Sequence, residues 1–154
     1  MKLTENFTLV EMTKSEIALR HGVDNTPTQA EVVNLKILCE KVLQPIRDHY
    51  GMGVKVSSGF RSKKVNTLAK GSKNSDHCNG HAADIEIPGV SNAELAKWIK
   101  ENLSYTQLIL EFYTAGVPDS GWVHVSYIQN NLKKQDLTAI KQNDKTVYLP
   151  GLQA

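Results

Sequence analysis

A chain of 154 residues, 40% hydrophobic and 22% charged, has material for one ordinary core and too little for two, so residues 1–154 are expected to form a single domain. Its formal net charge of +2, with the basic residues dispersed, argues against nucleic acid as a partner, and Cys39 and Cys78 make no disulfide framework. No apolar run approaches the ~20 residues of a membrane-spanning helix, and Met1–Asn6 turns polar at once, so neither membrane insertion nor a signal peptide is expected.

In chain order, the first clear element is a helix from Thr26 to about Tyr50. Thr26 reads as its N-cap, with Pro27 in the first helical position and Gln29 closing a capping box. Val32, Leu35, Cys39, Val42 and Ile46 recur at helical spacing and form a core-facing stripe, while Pro45 is expected to kink the last turn. His21 and His49 read as solvent-facing. A second helix starts at Ser91, capped with Glu94, and buries Leu95, Trp98 and Ile99.

Around these helices lie short alternating runs: 54–56, 83–87, 108–112 and 122–127. Each reads as a strand of an antiparallel sheet with helices packed on one face, an α+β arrangement. Alternation places Asp84 and Glu86 opposite Ala83, Ile85 and Ile87, and Trp122, His124 and Ser126 opposite Val123, Val125 and Tyr127. The same rule sets Glu111 opposite Leu108, Leu110 and Phe112. Lys133, Lys134, Lys141 and Lys145 give the C-terminal part a mild positive bias that reads as a solvated face.

The polar faces carry the chemistry. His77, Asp84 and His124 offer two imidazoles and a carboxylate, the donor set of a catalytic zinc site, which takes three protein ligands and leaves a fourth position open. Gly80 allows a sharp bend between the first two. His81 is the competing imidazole and is expected to play no ligand role. Cys78 directly follows His77, so both side chains can hardly reach one ion.

Ser75-x-His77-x-x-Gly80-x-Ala82-x-Asp84, followed by Trp122-Val123-His124-Val125, resembles the zinc D-Ala-D-Ala carboxypeptidase family, the M15 peptidases. Ser57-Ser58-Gly59-Phe60-Arg61-Ser62 is similar to that family's Ser-Gly-Tyr-Arg-Ser segment. Asn6–Met12 and the helix from Asn34 to Arg47 look like the short, phage-associated members. The resemblance implies a Hedgehog/D,D-peptidase-like fold and one Zn2+ per chain on His77, Asp84 and His124. It also implies that Arg61 binds a substrate carboxylate, and that Ser75 touches substrate besides capping the turn that presents His77.

Many relatives carry an acid three positions before the last histidine, and Gly121 stands there in this chain. Two carboxylates can replace it as general base. Glu111, embedded in an apolar strand, is preferred over Asp119 in the loop five residues before His124. Glu86 is expected beside the ligands.

The resulting expectation is a monomeric zinc peptidase that cleaves peptidoglycan stem peptides, of the D,D-carboxypeptidase or L-alanyl-D-glutamate endopeptidase type. Without a signal peptide, it would be made in the cytoplasm and act at the cell wall after release, as a phage lysin does. The alternatives are a non-catalytic zinc-stabilised wall-binding module and a phage structural component.

Overall fold

Capping chemistry starts most of the helices. The computed structural model describes all residues 1–154. A short hairpin, β1 (Lys2–Thr4) and β2 (Phe7–Thr8), runs into α1 (Leu9–Thr13), where Thr8 and Glu11 form a capping box. Ser15 caps α2 (Glu16–His21). The long helix begins two residues later than the sequence suggests. Thr28 caps α3 (Gln29–Leu38) with Glu31 as its reciprocal partner, whereas Thr26 bonds to Asp24 and Pro27 precedes the helix. Thr28 wins because its partner is charged as well as hydrogen-bonding, which suits the positive end of a helix.

Pro45 does not simply kink this helix. α3 continues through a π-turn, Cys39–Leu43, into α4 (Gln44–Tyr50), and the Gln44 N–H bonds back to the Cys39 carbonyl. A proline lacks an N–H and its ring crowds the carbonyl four residues earlier; one widened turn just before it relieves that clash.

The remaining elements are β3 (Lys55–Ser58), α5 (Lys63–Leu68), β4 (Ala82–Glu86), α6 (Asn92–Asn102), β5 (Gln107–Glu111), β6 (Trp122–Ser126), β7 (Gln135–Gln142) and β8 (Lys145–Pro150). The last six strands to be named form one sheet in the order β3-β4-β6-β5-β7-β8. The fold is α+β. Four of the five pairings are antiparallel, and β5 with β7 is parallel.

The β7–β8 hairpin, which the sequence does not announce, carries Lys141 and Lys145, both exposed as expected along with Lys133 and Lys134. Its two-residue turn, Asn143-Asp144, has both residues left-handed (φ 53 and 62), the geometry that lets a tight hairpin follow the natural strand twist. Its start is tied down: the Tyr105 hydroxyl donates to Asp136, and Lys100 pairs with the same carboxylate at 3.3 Å.

One sheet face meets the helices. Ala83 and Ile85, Leu108 and Leu110, and Val123 and Val125 join Leu35, Leu38, Cys39, Val42, Ile46, Leu95 and Ile99 in one contiguous core. Full burial of each Leu or Ile contributes about 1.5–3 kcal/mol. The Cys39 thiol is pushed up to about 12, chiefly by that burial, and behaves as a small apolar group. Trp98 is only half-buried; its indole stacks on the exposed His49 ring, centroids 4.4 Å apart, as a lid on the core's edge. No helix is long and apolar enough to cross a membrane.

Candidate active site and metal centre

The opposite sheet face builds the site. Asp84 of β4 lies directly across the ladder from His124 of β6, with His124 Nδ1 3.0 Å from Asp84 Oδ1. Cross-strand partners in an antiparallel pair bring their Cβ atoms within about 5 Å, so this register alone joins two donors 40 residues apart.

His77 arrives from a 3₁₀ turn, Asp76–Asn79. Ser75 caps this turn, its Oγ accepting from the His77 N–H at 3.2 Å. Gly80 closes the turn at φ +75, and a Cβ there would lie 2.6 Å from the Glu31 carbonyl oxygen on α3. The ligand turn therefore packs against helix backbone at a position open to glycine alone.

His77 Nδ1 lies 2.7 Å from the Gly59 carbonyl oxygen. A carbonyl only accepts, so Nδ1 is the donor to Gly59, and Nε2 is the ring atom turned to Asp84 Oδ1, 3.3 Å away, where it donates in the metal-free protein and would give up its proton to a metal. One donor atom from each of His77, Asp84 and His124 falls within 4.8 Å of the others, and all three residues are buried. Edges of 3.0 and 3.3 Å match the roughly 3.3 Å between ligands of a tetrahedral ion with bonds near 2.0–2.1 Å. The donor set, its spacing and the fixed orientation of the His77 ring fit a divalent metal.

Electrostatics agree. Burial opposes ionisation of Asp84, but the charge of His77 and hydrogen bonds from His124 and His77 outweigh it and hold the carboxyl well below the usual range. Arg61 adds support, its Nη2 donating to Asp84 Oδ2 at 3.3 Å. The same guanidinium donates from Nε to Ser58 Oγ at 2.9 Å and from Nη1 to Asn66 Oδ1 at 3.2 Å. The side-on fork through Nε, one of the two ways a guanidinium clamps a carboxylate, is therefore closed. Buried Asn66, which also donates to the Ser72 carbonyl, belongs to no motif and was not legible in the sequence.

Glu111 stands in the same cleft, paired in register with Trp122, whose indole N–H donates to its Oε2 at 2.9 Å. Burial, and then the negative charge of Asp84, push the Glu111 carboxyl up against the opposing pull of His124, the Trp122 N–H and Arg61. It is thus a cleft carboxyl held by an indole rather than a surface acid.

Phe112 departs from strand alternation. Its backbone is left-handed (φ 55), which turns the ring away from Leu108 and Leu110 and into the cleft, tilted against Trp122 at 5.4 Å. Asp119 is exposed and does not line the cleft. Glu86 meets Asn92 at 3.5 Å, also outside it. His81 lies in a separate depression beside Tyr127, and Cys78 is no part of the donor cluster.

The cleft holds about 600 Å³ and is bordered by Arg61, Ser75, His77, Asp84, Glu111 and His124. The sequence profile of the family described as Peptidase M15 matches residues 5–126. The chain belongs to the M15 peptidases. The matched segment contains the donor cluster together with Arg61, Ser75 and Glu111, and ends before β7. Membership in the M15 peptidases makes a peptide the natural occupant of this cleft, with a His-Asp-His group able to hold a metal at its floor. No curated protein matches the chain.

Proposed function

We propose that residues 1–154 act as one monomeric zinc peptidase domain that hydrolyses peptidoglycan stem peptides. The observation that carries this reading is the meeting, in one cleft, of the buried His77-Asp84-His124 group and an indole-held carboxylate, Glu111. A binding module needs the first but not the second, so the non-catalytic alternative loses its main support. One chain supplies every group the cleft needs.

Zinc bound by these residues would polarise a scissile carbonyl and lower the pKa of a water to about 7. Glu111 then takes the proton from the attacking water and delivers it to the leaving amine, a role its raised pKa suits. Trp122 keeps the carboxylate facing the cleft. Arg61 holds Asp84 in place, and of its five N–H groups the two left beyond Ser58, Asn66 and Asp84 serve the substrate near the reacting bond. Ser75 fixes the turn that presents His77 and borders the substrate. Asp119 is assigned no proton-transfer role.

The wall-peptide substrate follows from the family, and a phage lysin released to the wall at lysis is the setting that suits the short-member resemblance. The test is incubation of the zinc-loaded protein with purified muropeptides and mass analysis of the products. Loss of a terminal D-alanine identifies a carboxypeptidase, and release of L-alanine-ended fragments an endopeptidase. Intact muropeptides with zinc bound would overturn the reading.

A further inference from the structure

We propose that the β7–β8 hairpin carries a subsite for a carboxylate-bearing arm of the substrate, with Lys141 as the anion contact and Phe112 and Tyr148 as aromatic walls. This rests on the cleft being a peptidase site, and it extends the site beyond the family-matched residues, which end at 126.

Register places these side chains on the catalytic face. Glu111 pairs with Ala139 of β7, and Ala139 pairs with Tyr148 of β8. Lys141, two residues past Ala139, shares its face and pairs with Thr146. The floor that begins at Asp84 and His124 therefore continues through Glu111 to the hairpin, and Lys141, Thr146 and Tyr148 all border the same cleft.

Pairing separates Arg61 from the two lysines of the cleft, and position separates the lysines. Arg61 has three of its five N–H groups on Asp84, Asn66 and Ser58, and its other two lie near the reacting bond rather than at the hairpin. The Lys141 ammonium pairs with no carboxylate of the chain; it lies 5.5 Å from the centre of the Phe112 ring and 3.5 Å from Thr146 Oγ1. An aromatic face steadies an ammonium without neutralising it, leaving its charge for a ligand. Lys70 also borders the cleft, but from the end of the short α5 helix rather than from a strand.

Phe112 supplies the independent observation. A left-handed backbone is costly for a bulky residue and persists at functional sites where the surroundings enforce it. Here the φ of 55 takes an aromatic ring out of the core's side and sets it under Lys141. Tyr148, 53% exposed, gives a second ring on the far strand. A peptide arm ending in a carboxylate fits an ammonium over one ring, with a second ring bordering the same cleft.

The test is calorimetric binding of uncleavable stem-peptide isosteres to the zinc-loaded protein, one with free carboxylates and one with the same groups amidated. The wild type should prefer the acid by roughly tenfold, as a charge-assisted contact implies. Lys141→Met should lose that preference, and Lys70→Met should keep it. No acid preference in the wild type, or a preference that survives Lys141→Met, overturns the subsite. Hydrolysis of muropeptides is a separate readout, so an inactive protein that still shows the Lys141-dependent preference would sink the catalytic reading and leave the subsite standing.

Discussion

A Cβ placed on Gly121 would lie 1.9 Å from the backbone carbonyl oxygen of Glu111. Gly121 also adopts φ +64, so two independent constraints exclude any side chain there. The position where many relatives carry an acid is closed in this backbone, and the cleft carboxylate on the neighbouring strand is Glu111.

Gly121→Asp, which restores the residue type seen in relatives, should therefore not raise activity. It should lower stability by about 2 kcal/mol or more, since it combines backbone strain with a backbone clash. Gly121→Ala should be nearly as damaging, because the Cβ itself collides. Thermal unfolding of both variants measures this, and a stable, more active Gly121→Asp protein would refute the account.

Glu111→Gln should cut turnover by a factor of ~10² or more and retain zinc, while Asp119→Asn stays near wild type. The same substitution carries a stability signature in the metal-free protein. A carboxyl raised by folding costs stability as pH climbs from its unfolded value through its folded one. Glu111→Gln should thus gain on the wild type above that window and match it below. Melting temperatures measured across pH 3 to 8 provide the comparison (a range of about five units around the ordinary carboxylate value).

Trp122→Phe removes one hydrogen bond to the ionised form of Glu111 and should raise its pKa further. The base works only when ionised, so the acid limb of kcat/KM should move to higher pH while the plateau falls less than in Glu111→Gln. An unmoved acid limb would mean that another group controls it.

His77→Ala and His124→Ala should each abolish zinc binding at micromolar metal, and His81→Ala should leave it intact, as elemental analysis can show. Arg61→Lys keeps a charge near Asp84 but loses the planar set of contacts to Ser58, Asn66 and Asp84. Zinc affinity, read by chelator competition, should fall roughly 10- to 100-fold, the usual effect of removing support behind a metal ligand. An unchanged affinity would confine Arg61 to the substrate.

Residue types and short-range spacing determined much of this protein by themselves. The bend at Gly80, the Ser91 cap, the apolar stripe from Leu35 to Ile46 and the α+β class depend on contacts within a few residues or on strict alternation, which a linear sequence displays, and the donor trio was marked by its residue types within motifs that resemble the family's. Glu111 was visible for the same reason, as a charge set among apolar strand neighbours. What depended on pairing between distant strands was not visible. The Asp84–His124 and Glu111–Trp122 registers, the indole hydrogen bond, the Arg61–Asp84 contact and the reversal of Phe112 all need two segments brought together. The β7–β8 hairpin was hidden because its residues are mostly polar and exposed, and only its parallel docking beside β5, tied at Tyr105 and Asp136, brings Lys141, Thr146 and Tyr148 to the wall of the cleft. Chemistry was local and legible; aim and enclosure were tertiary, because a side chain's target lies on another strand whose position no neighbouring residue records.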